Sequence, residues 1–132
     1  MVDWLSKLFG GNRAAGPLGQ RGENVAARFL RNIGYKIMIR NFRCAVGEID
    51  IIARDGDTLV FVEVKTRSED EPTPEDQVNH GKRHRITKAA KSYLSRYGTP
   101  QPGARFDVVA VVWPSGQEPQ VRHTQSAFEA TF

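Results

Sequence analysis

Hydrophobic residues along the chain recur with two different periods, which predict the order of its secondary structure elements. Over residues 20–33 the apolar positions recur every three or four residues, as on one face of a helix, and Gly34 ends the pattern. A second helical pattern covers 82–97 and ends at Gly98. Alternating or continuous apolar runs predict strands over 35–43, 47–54, 58–66 and 105–113, and a short edge strand near 120–124.

This order of elements predicts one α+β (or α/β) domain, in which a mixed central sheet is flanked by helices. The run RFDVVAVVW is almost continuously apolar, as expected of a strand that is covered on both faces. Residues 68–81 are polar, acidic and proline-containing, so we expect a loop there. Residues 1–19 contain the glycine-rich stretch GGNRAAGPLG and are predicted to be a flexible extension, which leaves 20–132 as the domain. The alternative for WLSKLF is a small docking or membrane-touching motif.

Composition narrows the class of protein without naming a function. A length of 132 residues suits a single domain that buries its own core. Cys44 is the one cysteine, so an internal disulfide is excluded, and we expect a reducing, cytoplasmic location. No apolar run approaches the roughly 18 residues of a membrane span, which argues against a membrane protein. The net charge of +4 permits nucleic-acid binding and does not require it.

The segment GEIDIIARDGDTLVFVEVKTR carries charges inside two apolar runs that read as a hairpin. Side chains alternate along a strand, so one face of this hairpin is predicted to be core, made of Ile49, Ile51, Ala53, Val60, Val62 and Val64. The other face carries the charged residues Glu48, Asp50, Glu63 and Lys65. Four charges on one face of a small buried sheet need an explanation.

The register of the hairpin determines which of these charges meet. A two-residue turn at Gly56-Asp57 places Asp50 opposite Glu63 and Glu48 opposite Lys65, and a three-residue loop with a bulge gives the same result. Two carboxylates then lie side by side and repel, so Lys65, a shared proton or a divalent cation must compensate. The alternative is a solvated, charged sheet face held by a Glu48–Lys65 ion pair.

Two further features bear on nucleic-acid chemistry. Glu23 lies on the apolar side of the first predicted helix, where a lone carboxylate is costly; that side comprises Val25, Ala26, Phe29, Leu30 and Ile33. The second predicted helix is basic and contains no acidic residue, so it either contacts phosphates or presents a solvated face. The candidate phosphate-binding residues on this helix are Lys82, Arg83, Arg85 and Lys88. Weaker candidates elsewhere in the chain are Arg21, Arg40 and Arg43. His123 is expected to be an ordinary surface residue, and Asp107 either supports a site or is a strand-end acid.

These residues resemble the PD-(D/E)XK nuclease superfamily, in which an acidic residue precedes a strand that carries (Asp/Glu)-x-Lys. Here the matching residues are Asp50 and Glu63-Val64-Lys65, and Glu23 matches the helical glutamate of the Holliday-junction-resolvase-like branch. More closely, the chain resembles the uncharacterised bacterial YraN-type family, from about Gly19 to the end. The matching blocks are GQRGENVAARFL, GYKIMIRNFR, GEIDIIA, VFVEVKTR, the helix from KRHR to SYL, and RFDVVAV.

The resemblance implies a restriction-endonuclease-like core and metal-dependent chemistry. Asp50, Glu63 and the Val64 carbonyl would bind Mg²⁺ or Mn²⁺, Lys65 would orient or deprotonate the attacking water, and Glu23 would hold a water of that ion or a second ion. Glu48 would support these residues. Some branches add a polar residue from the following helix, for which Lys82 and Gln77 are candidates.

The expected function is therefore endonucleolytic cleavage of DNA, branched or structured DNA included. DNA is favoured over RNA, and a homodimer is compatible with a junction substrate. Two alternatives remain open. One is a nucleic-acid-binding module with weak or no catalysis, and the other is a protein-interaction scaffold built on a nuclease fold.

Overall fold

A computed structural model of the chain describes residues 16–130, so the first fifteen residues of the predicted extension lie outside the described residues. Its elements are α1 (Gly16–Asn32), β1 (Lys36–Cys44), β2 (Gly47–Asp55), β3 (Thr58–Arg67), a short 3-10 helix (Pro74–Gln77), α2 (His80–Leu94), β4 (Ala104–Val112) and β5 (Gln120–Phe128). Neither α-helix in this part of the chain is both long and apolar enough to cross a lipid bilayer.

The five strands form one mixed sheet in the order β1-β2-β3-β4-β5. β1, β2 and β3 are an antiparallel meander, β4 runs parallel to β3, and β5 returns antiparallel to β4. The parallel step requires a crossover, which α2 provides. The predicted fold class, a mixed sheet flanked by helices with a restriction-endonuclease-like arrangement, is confirmed.

The two helices cover opposite faces of the sheet and create two cores. On one face α1 contributes Ala26, Ala27 and Leu30, which pack with the valines of β3 and β4. On the other face α2 packs its apolar side, which includes Tyr93, against an aromatic-rich set that includes Phe61 and Phe106. The central strands are therefore buried on both sides, as the continuous apolar run of β4 predicts.

Several boundaries differ from the sequence prediction, among them those of α2, which spans His80–Leu94 instead of 82–97. Helix α1 begins at Gly16, so residues 16–19 belong to the helix instead of the predicted extension. It ends at Asn32, because Gly34 takes a φ of 102° and the Tyr35 and Gly34 amides bond back to Leu30 and Arg31. Ile33 therefore leaves the buried stripe and is 45% exposed. At the other end of the chain, β5 extends to Phe128, whose ring stacks on that of Phe106.

The predicted apolar face of the hairpin is correct except at Ile49. Ile51 and Ala53 pack under α1, but Ile49 packs under α2. Where the alternation breaks, Asn41 on the neighbouring strand β1 adopts a φ of 58°, and the register between β1 and β2 omits the Asn41–Asp50 pair. The irregularity falls beside Asp50, one of the residues singled out by its charge.

Candidate active site

Asp50 lies where strands β2 and β3 stop pairing. The predicted register is confirmed from Asp55–Thr58 to Ile51–Val62, and the ladder ends there. Continued by two residues, it would join Val64 to Ile49, but the Val64 amide donates to Asp50 Oδ2 at 2.8 Å instead. The carboxylate of Asp50 thus replaces a strand carbonyl and fixes its own position between the two strands.

The remaining oxygen of Asp50 is the open feature of this site. Asp50 is 8% exposed, and its Oδ1 accepts no hydrogen bond from any residue between 16 and 130. Burial raises the pKa of Asp50 well above its ordinary value, and the nearby carboxylates of Glu63 and Glu23 raise it further. The Val64 amide and the Lys82 ammonium oppose this shift without cancelling it.

Glu63 reaches across to helix α2. Its Oε2 is 3.0 Å from Lys82 Nζ, and the side chain is only 5% exposed. Burial lowers the pKa of Lys82, but the charges of Glu63 and Asp50 outweigh burial, and the net shift is upward. Lys82 is therefore a firmly charged partner of the acidic pair, and the expectation that it leans toward the sheet is confirmed. Within residues 16–130, no hydrogen bond or ion pair brings Gln77, the other candidate, to the site.

Lys65 is the second cation of the site and differs from Lys82. It forms no ion pair with any described carboxylate, so neither the predicted pairing with Glu48 nor one with Glu63 is present. Burial lowers the pKa of Lys65, and the Lys82 charge lowers it further, against the opposing effect of Glu63 and Asp50. Of the two lysines, Lys65 is the one that gives up its proton more readily.

Glu48 does not face Lys65 as the extrapolated register predicts. Its Oε1 accepts from Arg43 Nε at 3.2 Å across the β1–β2 turn. Burial and the nearby Glu63 charge nevertheless raise the pKa of Glu48, while Arg43 lowers it. Glu48 is thus close enough to Glu63 to feel its charge, but its own charge is balanced by Arg43.

Glu23 approaches the site from helix α1. Gly22 makes this approach possible, because a Cβ at that position would overlap the Thr66 side chain of β3. Glu23 is buried, as its place on the apolar stripe predicts, and its Oε1 accepts from Arg40 Nη2 at 2.6 Å and Nε at 3.1 Å. Arg40, named from sequence only as a weak phosphate candidate, is the partner that makes this burial tolerable.

The side chains present suit a hard divalent cation, although they do not enclose one. Across the described residues no three His, Cys, Asp or Glu side chains gather into a ligand cluster. Asp50 and Glu63 offer two buried carboxylates, one with a free oxygen, and Mg²⁺ is commonly held by one or two carboxylates with waters and substrate phosphates. A cation of this type would also relieve the repulsion that raises the pKa of Asp50. The Val64 carbonyl as a further ligand stays a prediction.

The predicted basic surface on α2 divides into inward and outward residues. Lys82 points into the site, and Arg83 donates to the Val78 carbonyl at 2.8 Å and lies over the Phe128 ring. Arg85 and Lys88 are exposed three residues apart, so they share one face of the helix. Of the four candidates on α2, Arg85 and Lys88 are the two that are exposed, as phosphate contacts require. Arg21 is exposed on α1, over the ring of Trp113.

A second polar cluster lies under α1, and it contains a histidine that was predicted to lie on the surface. The His123 side chain is 8% exposed, and its Nε2 lies 2.8 Å from Asp107 Oδ2. Asp107 Oδ1 also accepts from the Ser126 amide at 3.0 Å and from Arg105 Nε at 3.1 Å. Arg105 continues to Asp55 and to the Tyr35 hydroxyl. The alternation of Arg105 and Asp107 within an apolar strand was the available signal for this cluster.

Comparison with known proteins places the chain in one family. The sequence profile of uncharacterised protein family UPF0102 matches residues 22–111, which include Glu23, Asp50, Glu63 and Lys65. A UPF0102 protein of Geobacter sulfurreducens is 47% identical over 116 residues, 87% of this chain and 91% of the relative. One of Nocardia farcinica is 46% identical over 112 residues (84% and 88%), and one of Syntrophus aciditrophicus is 51% identical over 94 residues (70% and 74%). These matches confirm the resemblance to the YraN-type family: the chain belongs to the uncharacterised protein family UPF0102.

Proposed function

We propose that this protein is a divalent-cation-dependent endonuclease that hydrolyses phosphodiester bonds in DNA. The observation that carries the proposal is the buried carboxylate of Asp50, held between diverging strands beside Glu63, with one oxygen that no described residue contacts by a hydrogen bond. Such an arrangement destabilises a protein that has no ligand for it, so a ligand of opposite charge is the simplest reason for it. The resemblance to the PD-(D/E)XK superfamily supports the same assignment.

In this proposal Asp50 and Glu63 hold Mg²⁺ or Mn²⁺. When bound, the ion supplies Lewis-acid polarisation of the phosphoryl oxygens and makes water acidic enough to react near neutral pH. Carboxylate oxygens are the donors that these cations prefer. Lys82 holds the Glu63 side chain in place through their ion pair, and Arg40 does the same for Glu23, which orients solvent at the edge of the site.

Lys65 is the residue that we assign to proton transfer and charge stabilisation. Its lowered pKa increases the fraction of neutral amine, which can accept a proton from the attacking water. The water oxygen forms the new bond to phosphorus, the scissile P–O bond breaks, and the leaving oxygen takes a proton from solvent. In its charged form Lys65 stabilises the negative charge that develops on the phosphoryl oxygens.

A nucleic-acid-binding module is the second candidate, and one observation favours it. Lys82 lies 3.0 Å from Glu63 and Arg40 lies 2.6 Å from Glu23, so two of the three buried carboxylates of the candidate site are already paired with a cationic side chain. If those pairs persist when DNA binds, Asp50 is left without a second carboxylate to share an ion. DNA binding through the outward face of α2 would then proceed without hydrolysis.

The experiment that separates these functions is cleavage of a labelled panel of single-stranded, duplex, flap and four-way-junction DNA, with Mg²⁺, Mn²⁺ or EDTA. Asp50→Asn is purified in parallel, because Asn keeps an acceptor for the Val64 amide and removes the charge. Asp57→Asn is the matched control, since Asp57 is exposed at the opposite end of the hairpin. Cation-dependent cutting that is lost in Asp50→Asn and kept in Asp57→Asn supports the nuclease. Equal cutting by Asp50→Asn contradicts it, and DNA binding without cutting favours the binding module.

A further inference from the structure

A cavity of about 260 Å³ opens where the carboxyl ends of β3 and β4 meet the first turns of α1. Ser68 and Trp113 follow these strands, and α1 contributes Leu18 and Arg21, with the 114–116 turn closing the far side. The volume is just below the range of roughly 300–1,000 Å³ that is typical of drug-sized ligands, so the cavity suits one small planar group.

Trp113 is held as a fixed flat surface in this cavity. Its backbone amide donates to the Arg67 carbonyl at 2.8 Å, and its indole Nε1 donates to the Gln117 carbonyl at 2.8 Å. The ring also packs against the core under α1. The Arg21 guanidinium lies 4.1 Å from the ring centroid. Aromatic rings and guanidinium planes are the two surfaces on which proteins stack unpaired bases.

The position and charge of the cavity point to the same ligand class. Ser68 is three residues beyond Lys65 on one extended strand, about 10 Å at about 3.3 Å per residue. Arg21 is two residues before Glu23 on α1. Arg21 is the charged side chain among those lining the cavity within the described residues, and no carboxylate joins it there. A planar group attached to an anionic backbone fits this combination.

We propose that the cavity binds an unpaired nucleobase of the DNA strand that passes through the active site. Arg21, which lies over the Trp113 ring, turns to the adjoining phosphate, and the base stacks on the ring in its place. The assignment of this strand as the substrate rests on the proposed nuclease function, whereas the binding itself requires neither cation nor hydrolysis. Bases inside a duplex are stacked on their neighbours and cannot enter. Substrates with a single-stranded segment are therefore preferred over continuous duplex.

Tryptophan fluorescence tests this binding directly. The chain has two tryptophans, so Trp4→Phe leaves Trp113 as the reporter. The protein is titrated in EDTA, at fixed salt, with single-stranded oligodeoxythymidine and, separately, with a blunt duplex of equal length. We expect the single strand to quench Trp113 emission, and the duplex to leave it largely unchanged at equal occupancy measured by anisotropy of a labelled strand.

Matched variants separate stacking from general electrostatics. Trp113→Leu keeps an apolar side chain against the core and removes the ring, and should weaken single-strand binding about tenfold, whereas Trp113→Phe should restore most of the affinity. Arg21→Ala should weaken single-strand binding more than Arg28→Ala, which removes an equally exposed charge two turns along α1. Circular dichroism of each variant confirms that it is folded.

The inference is overturned if the single strand fails to quench Trp113, if the duplex quenches it equally, or if Arg21→Ala and Arg28→Ala weaken binding by the same factor. Its failure is distinct from failure of the proposed function. If cleavage depends on Asp50 but Trp113 is not quenched, the proposed nuclease function stands and the proposed base-binding site is contradicted. If the single strand quenches Trp113 and this quenching depends on Arg21, but the protein does not cut DNA, the base-binding site is supported and the nuclease function is contradicted.

Discussion

Two buried aspartates lie in the same sheet, Asp50 on β2 and Asp107 on β4, and their carboxylates differ in how fully they are hydrogen-bonded. Asp107 is fully buried, and three groups hydrogen-bond its carboxylate: His123, the Ser126 amide and Arg105. Asp50 is nearly as buried, but within residues 16–130 it accepts a single hydrogen bond, from the Val64 amide. Among these residues the Asp107 cluster is complete, and the Asp50 site is not.

The pKa values express the same contrast. Burial raises the pKa of Asp107, but the hydrogen bonds from His123, Ser126 and Arg105 outweigh burial and hold it below the ordinary value. Burial and the Glu63 charge leave the pKa of Asp50 well above that value. A fully hydrogen-bonded network stabilises the fold. An incomplete network leaves a destabilising buried charge, which a bound ligand can neutralise. Burial alone therefore does not distinguish a candidate functional carboxylate from a structural one. The distinguishing feature is a carboxylate oxygen that accepts no hydrogen bond.

The largest expected effect is on catalysis at Lys65. Lys65→Met removes the amine beside Asp50 without adding volume, and should lower the cleavage rate by about 10²- to 10⁴-fold, as loss of an acid–base group does. Lys36→Met is the control, because Lys36 is exposed on β1 near the opposite end of the sheet. The rate is measured in single turnover against pH. Equal cleavage rates for wild type and Lys65→Met would contradict the assignment of Lys65 to proton transfer.

The next effect is on stability, at the completed cluster. Asp107→Asn leaves His123 and Arg105 without their charged partner and should lower the free energy of unfolding by about 3 kcal/mol. Urea denaturation measures the loss. A double-mutant cycle with His123→Gln should show coupling of about 1 kcal/mol or more, since the two side chains share one hydrogen bond. A loss under about 0.5 kcal/mol would show that the cluster is not a stability element.

The same substitution at Asp50 should act in the opposite direction. Asp50→Asn removes a buried charge that Glu63 repels and keeps an acceptor for the Val64 amide, so it should stabilise the cation-free protein by about 1 kcal/mol and raise Tm by about 3–5 °C. Thermal unfolding in EDTA at neutral pH measures the change, with Asp57→Asn as the neutral control. If Asp50→Asn instead lowers Tm, Asp50 stabilises the fold as Asp107 does, and the proposed cation site is contradicted.

The smallest effect is a difference in pH dependence. The pKa of Asp50 in the folded protein lies above its ordinary value of 3.8, so its contribution to stability falls as pH rises from that value through the folded pKa. The pKa of Asp107 lies below 3.8, so its contribution is present above that pH and is lost as pH falls through the folded pKa.

Denaturation curves between about pH 3 and 8 test these opposite signs. The advantage of Asp50→Asn over wild type should grow with rising pH and then level off. The deficit of Asp107→Asn should shrink toward acid. Parallel curves for the two variants would contradict the assignment of opposite pKa shifts.

Local sequence patterns predicted the parts of this molecule that depend on neighbouring residues. The two-residue turn at Gly56-Asp57 fixes the hairpin register, because pairing propagates outward from the turn. Helical periodicity placed Glu23 on the buried side of α1. What these patterns could not supply was any contact between distant segments, such as Arg40 with Glu23 or His123 with Asp107.

The errors near the site have a physical cause of the same kind. Ile49 lies on the opposite face from its predicted one, at the point where Asn41 has a positive φ and the Val64 amide bonds to the Asp50 side chain. Glu48 meets Arg43 instead of Lys65, since the β2–β3 ladder ends at Ile51–Val62. The extrapolated register failed where the strands part, and that is where the candidate site lies.

Isothermal titration calorimetry of Mn²⁺ into the cation-free protein tests most directly whether the Asp50 site is completed by a cation. Wild type and the Asp57→Asn control should bind Mn²⁺ with the same affinity, and Asp50→Asn should lose that binding because it removes the carboxylate with the unpartnered oxygen. Binding of equal strength to Asp50→Asn, or no binding by wild type in the absence and presence of DNA, would contradict the account.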